Sequence, residues 1–204
     1  FIAAFAGITC GHLVSGKTKV DIIVTPVITI GAGSVVGLLV GPPISQMMTG
    51  LGSIINWATE QRPFIMGIVV SVVMGMVLTL PISSAALGII LNLSGLAAGA
   101  ATIGCCCNMV GFAVASYREN KFGGLVAQGL GTSMLQVPNI MRHPLIWLPV
   151  IFSSAILGPV STILANMQNN ATGSGMGPAG LVGQITTYQT MIAYDDPKLV
   201  IIKI

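Results

Sequence analysis

The stretch Pro63-Phe-Ile-Met-Gly-Ile-Val-Val-Ser-Val-Val-Met-Gly-Met-Val-Leu-Thr-Leu-Pro81 carries no charge, and Ser71 and Thr79 are its only polar side chains. Crossing the hydrocarbon core of a bilayer takes about 20 apolar residues, and this run, opened and closed by proline, matches one crossing. It lies inside a longer interval, residues 63–117, that contains no Asp, Glu, Lys or Arg. A second such interval spans residues 143–194, with His143 its only group titrating near neutrality. Each has room for two crossings plus irregular backbone. The whole chain follows suit, being 53% hydrophobic and 6% charged, against about 25% charged residues in a soluble domain. So few charges cannot cover a water-facing surface. The sequence therefore predicts an all-α, polytopic transmembrane bundle of short Gly-rich helices, one membrane domain over residues 1–204.

The same composition excludes several functions. A net charge of +3 with no basic stripe gives no nucleic-acid signature. Cys10 and the run Cys105-Cys106-Cys107 form neither a disulfide framework nor a metal-ligand spacing, since adjacent thiols splay around a helix. They read as small buried residues, and no metal or cofactor is expected. No nucleophile is paired with a base, so no enzyme with a soluble-type active site is expected. Gly175-Met-Gly-Pro-Ala-Gly180 fits a dinucleotide fingerprint by pattern alone. It lacks the strand and βαβ unit that such a site needs.

Charges fall in clusters around Lys17–Asp21, Glu60–Arg62, Arg118–Lys121, Arg142 and Asp195–Lys203, and these divide the chain. Asp21 opens a crossing from Ile22 to Gly41, ended by Gly41-Pro42-Pro43. Residues 44–58 have one apolar side (Ile44, Met47, Leu51, Ile54, Ile55) and one polar side (Ser45, Gln46, Thr49, Ser53, Asn56). That pattern suits a helix at the membrane interface; the alternative is an inner helix turned toward a cavity. Residues 82–117 are too long for one helix, and a break is expected near Gly95–Gly104. The charged residues 118–121 read as a short loop before segments 122–140 and 144–166. Small-residue faces at Gly33/Gly37/Gly41 and Gly95/Gly99 are expected to bury close helix contacts.

Three places could hold a ligand. The first is the polar segment Asn169-Asn-Ala-Thr-Gly-Ser-Gly-Met-Gly-Pro-Ala-Gly180 with Gln184. Non-helical backbone survives at membrane depth only where protein or a wet cavity satisfies it. Asn169, Asn170 and Gln184 offer donors and acceptors suited to hydroxyl-rich solutes, and Gly173, Gly175 and Gly177 free backbone N–H groups. The bland alternative is a connector on the solvent side. The second place is Gln136-Val-Pro-Asn-Ile-Met-Arg-His-Pro-Leu-Ile-Trp147, with Asn139, Arg142 and His143 between prolines; it also reads as an ordinary interfacial turn, with Arg142 snorkelling and Trp147 in the aromatic belt. Asn108 and the Arg118-Glu119-Asn120 group are the third, with a solvated ion pair as the alternative.

Three blocks resemble the EIIC-like membrane family of the bacterial sugar phosphotransferase system, in its type-2 branch. They are Met66–Ser84, residues 113–120 with 129–139, and residues 141–147 running on through Gly183. The similarity covers most of residues 17–193. It implies a multi-pass protein of the bacterial inner membrane that carries a sugar or similar small polar solute, as a homodimer. Members are longer at both ends, so Phe1 and Ile204 are not expected to be natural termini. The Gly-Ile-Thr-Glu-Pro motif of better-known sugar permeases does not occur, nor does a soluble phosphoryl-accepting domain. The alternative function is a membrane receptor or regulator that binds a small ligand without moving it.

Overall fold

The computed structural model describes residues 2–17 and 20–204. Phe1 and Lys19, the latter part of the first charged cluster, lie outside the described residues. The molecule is 85% helical and, among those residues, has no strands. Three helical stretches are long and apolar enough to cross a membrane: Asp21–Gln61, Gly95–Gly131 and Pro144–Leu164. Two shorter apolar helices, Ile2–Val14 and Pro63–Thr79, accompany them. Contacts group the chain into two units, residues 1–49 and 50–204.

In the first unit, α1 (Ile2–Val14) packs on the start of α2 (Asp21–Gln61) through small residues. A Cβ on Gly7 would strike the carbonyl of Thr29, and Gly33 lies against the carbonyl of Ala3. Gly37 approaches Ala3 as well, whereas Gly41 has open space around it. Asp21 holds the entry to α2, accepting from the Gly16 N–H at 2.9 Å and the Thr25 hydroxyl at 2.7 Å.

α2 does not stop at Gly41-Pro42-Pro43. The two prolines remove the donors that would reach the carbonyls of Leu38 and Leu39, but proline's fixed φ is itself helical. The helix therefore loses bonds there without having to turn.

In the second unit, the end of α2 buries Gly52 and Thr59 and leaves Leu51, Ile54 and Trp57 exposed. Asn56, from the polar side, donates to the carbonyl of Asn92 at 3.0 Å and accepts the Ser94 N–H at 3.2 Å. The inward face thus combines Gly52, Asn56 and Thr59 with Ile55, which packs on the buried cluster, so it draws on both sides of the sequence pattern.

The core of this unit is formed by α3 (Pro63–Thr79), α5 (Gly95–Val126) and α7 (Leu148–Pro159). Its buried cluster includes Val70, Met74, Leu78, Ala98, Ala101, Cys105 and Met109. Fully buried side chains also include Ser71, Thr79, Thr102, Asn108 and Ser154, while Phe152, Ile156 and Val114 face outward. Polar inside and apolar outside is the arrangement lipid demands. Gly104 makes it possible: its Cα sits against the carbonyl of Ser71, where a side chain would collide with the α3 backbone.

The break predicted near Gly95–Gly104 lies earlier. α4 (Ser84–Ile90) ends at Leu91, Asn92 adopts φ 49°, and α5 starts at Gly95 and runs unbroken through Gly104. The small residues serve close packing instead: Gly99 meets the carbonyl of Met167, although a Cβ on Gly95 would have open space around it. The charged loop predicted at 118–121 is also corrected. Arg118, Glu119 and Asn120 continue α5, and the chain kinks at Lys121, with φ 51° and ψ −144°. The expected single segment 122–140 is a series of short pieces: the end of α5, a π-helical turn (Ala127–Gly131), a 3-10 turn (Ser133–Gln136) and α6 (Val137–Arg142).

Beyond α7, a π-helical turn (Val160–Leu164) leads to α8 (Ala171–Ser174), α9 (Val182–Met191) and α10 (Pro197–Lys203).

Candidate functional site

α5 carries two distinct polar neighbourhoods, and most of the residues singled out from the sequence, though not Asn108, fall in one or the other. The first surrounds its N-terminal half. Asn169 is buried against Thr102, donating to its hydroxyl at 2.7 Å and to the Gly183 carbonyl at 3.3 Å. Its side-chain oxygen accepts the Asn170 N–H at 2.8 Å, and its own N–H reaches the Gly95 carbonyl at 3.2 Å. Asn170 is exposed and caps α8, accepting from Gly173 N–H at 2.9 Å. Gly173 is seated beside Asn169 and Thr186, Gly175 against the backbone of Ser84, and Gly177 against Cys105. Ser84 hydroxyl donates to the Gly175 carbonyl at 2.6 Å. Gln184 donates to Cys106 Sγ at 3.7 Å, and its oxygen is buried with no partner among the described residues. This segment is docked on α4 and α5, and its amides and glycines are largely occupied in holding it there.

Asn108 lies further along α5, wholly buried. Its amide donates to the Gly104 carbonyl (3.1 Å) and the Ser154 hydroxyl (3.2 Å). Its oxygen accepts from Thr79 (3.4 Å) and the Trp147 indole (3.3 Å). It ties α3, α5 and α7 together.

The second neighbourhood is a pocket of about 330 Å³ between the C-terminal half of α5 and α6, within the size range of small-molecule sites. Helical spacing puts Phe112, Ser116 and Glu119 on one face of α5. Gln136, Asn139 and His143 face them from the 3-10 turn and α6, with Ile146 completing the wall. α6 is started by Pro138 and closed by the His143 N–H on the Asn139 carbonyl at 2.8 Å. Ile140 anchors it against Phe112 and Val150.

Phe112, Ser116 and Gln136 form a buried floor, while Glu119, Asn139 and His143 stand exposed at the mouth. Ser116 Oγ is buried and unpartnered among the described residues. A buried hydroxyl without a partner costs about 1–3 kcal/mol, so its presence beside a polar cavity marks a place for a ligand or solvent atom.

The structure therefore brings Gln136, Asn139 and His143 of the second place together with Glu119 of the third, and adds Ser116. Asn108 lies deeper in the core. The glycine-rich segment is elsewhere: ten residues of helix, about 15 Å, separate Cys105, which touches Gly177, from Ala115 at the pocket. Ser116 was not singled out in the sequence; its alignment with Phe112 and Glu119 shows only once α5 is known to continue past Arg118.

The pocket suits a hydroxyl-rich guest. Glu119 accepts hydrogen bonds, Asn139 and Gln136 present amides, and Ser116 can donate or accept. Phe112 and Ile146 supply apolar surface for C–H groups. Another hollow, of about 390 Å³ between Phe64, Ile156, Pro159 and Ile163, is apolar and has the character of an acyl-chain groove. No cluster of metal-ligating side chains occurs among the described residues.

No curated protein and no solved structure matches the chain. A family model described as "Phosphotransferase system, EIIC" matches residues 1–203. The chain accordingly belongs to the EIIC family of the phosphotransferase system, as a membrane component of its transport machinery.

Proposed function

We propose that the protein binds and carries a sugar or comparable small polar solute across the bacterial inner membrane, in the pocket between α5 and α6. The observation that supports this most directly is the unpartnered Ser116 hydroxyl on the floor of a polar cavity. Several weak hydrogen bonds from Glu119, Asn139, His143 and Ser116 would replace a solute's hydration. The apolar walls would take its carbon skeleton. The homodimer implied by the resemblance belongs to the same reading, and the mass of the detergent-solubilised protein checks it.

The experiment is uptake of radiolabelled hexoses and hexitols by proteoliposomes, with Glu119→Gln and Asn139→Ala beside the unmodified protein. Uptake of at least one neutral solute, reduced by both substitutions, is the expected result. Binding without uptake would make the protein a receptor. Uptake indifferent to both substitutions would remove the site from this pocket.

A further inference from the structure

Asn139 belongs to a row of three amides that extends beyond the pocket. Its Nδ2 donates to Gln136 Oε1 at 2.9 Å, and Gln136 Nε2 donates to Gln128 Oε1 at 3.0 Å. Gln128 is 4% exposed and Gln136 8%. Gln128 does not line the pocket. It stands in the π-helical turn Ala127–Gly131, and π turns recur at functional sites.

A row of amides has a direction. Each carries its donor and acceptor on opposite sides of one carbon, so a bond made by the nitrogen turns the oxygen away from it. Here every bond runs toward Gln128. Gln136 is fixed at both ends, with its nitrogen spent on Gln128 and its oxygen on Asn139. Asn139 is held only by its nitrogen, and its Oδ1 has no hydrogen-bond partner among the described residues. At the mouth of the pocket the wall is therefore an acceptor, beside the acceptor carboxylate of Glu119.

We propose that Gln128 is a positioning residue: acting through Gln136, it holds the Asn139 amide so that its oxygen accepts a hydrogen bond from a solute hydroxyl. The proposal rests on the pocket being the solute site. Without the Gln128 oxygen, Gln136 is free to rotate. Asn139 can then present either end, and the wall loses its preference for donors. A site built to bond a hydroxyl rejects analogues that lack the donor, so selectivity should respond more than stability.

The test compares D-glucose, D-galactose and D-mannitol with their monofluoro analogues, in which fluorine replaces one hydroxyl and cannot donate. Affinities are measured on purified protein in nanodiscs for the unmodified chain, Gln128→Met and Gln128→Glu. For the solute that binds, one fluorinated position should weaken binding about tenfold in the unmodified protein, a difference of about 1.4 kcal/mol. That penalty should shrink to about twofold in Gln128→Met and persist in Gln128→Glu, whose side chain still offers an oxygen to Gln136. The same penalty in all three proteins overturns the proposal.

NMR of the 15N-labelled side-chain amides gives a readout that needs no solute. Slow exchange of an Asn139 amide proton in the unmodified protein and Gln128→Glu, lost in Gln128→Met, supports the relay; equal exchange in all three overturns it. Failure of the pocket itself is distinguishable, because Asn139→Ala would then bind the same sugars normally whatever Gln128 does.

Discussion

The Asn169 amide donates to the hydroxyl of Thr102 at 2.7 Å, joining the glycine-rich segment to α5 in the interior of the second unit. Thr102 in turn donates to the Ala98 carbonyl at 2.8 Å. With its other contacts to Gly183, Gly95 and Asn170, Asn169 is a clamp between chain segments. Asn169→Ala strands the Thr102 hydroxyl's acceptor site and the Asn170 N–H. A loss of about 1–3 kcal/mol is expected, seen as a lower apparent Tm in detergent, with the sugar affinity of the surviving folded protein unchanged.

Asn170 has a smaller part. It is exposed and caps α8, so Asn170→Ala should cost about 1 kcal/mol. Asn170→Ser, which keeps a capping oxygen, should recover most of that in the same melting experiment. An effect of Asn170→Ala on sugar binding as large as that of a pocket substitution would contradict this assignment.

Gly104 sets how closely α3 and α5 approach. Gly104→Ala places a methyl group against the backbone carbonyl of Ser71, which cannot rotate away. Forcing extra volume into such a contact costs about 1–3 kcal/mol. Thermal unfolding should show the loss, whereas Gly123→Ala, at a position with open space around it, should leave Tm nearly unchanged.

Trp147 and Asn108 give a prediction for the polar core. The indole N–H reaches Asn108 Oδ1 at 3.3 Å, and Thr79 supplies a second donor to the same oxygen. Trp147→Phe removes one donor and leaves Asn108 Oδ1 with Thr79, whose single hydroxyl proton is also within reach of the Gly75 carbonyl. The expected cost from the hydrogen bond is about 0.5–1.5 kcal/mol. Asn108→Leu breaks the bonds to α3, α7 and Trp147 together, and its larger loss should appear as poor expression or early unfolding.

How much of this was visible in the sequence depends on what each signal was doing physically. Pro63 opens α3 because proline at a first helical position lacks only a donor that would go unused there, and α3 runs from Pro63 to Thr79, ending just before Pro81. The glycines of 95–104 misled, since glycine permits both a break and a close approach; the break fell at Leu91–Ser94 and the glycines went to packing. Pro42 and Pro43 misled in the opposite sense, their helical φ letting α2 continue. Taking Arg118–Asn120 for a loop left Glu119 a candidate but hid its alignment with Phe112 and Ser116, which exists only on an unbroken helix. Asn139 and His143 were legible from their bracketing prolines. Gln128 was not, because a π turn follows no period that a sequence displays.

The central claim is that solute binds between α5 and α6 rather than in the glycine-rich segment. The direct measurement is equilibrium binding of the hexose and hexitol panel to purified protein, comparing Asn139→Ala and Glu119→Gln with Asn170→Ala and Gln184→Ala. Pocket substitutions should weaken binding about tenfold or more, the loss of about 1.4 kcal/mol or more, and both glycine-segment substitutions should leave it within about twofold. The reverse pattern, with Asn170→Ala or Gln184→Ala abolishing binding while Asn139→Ala and Glu119→Gln bind normally, would contradict the account.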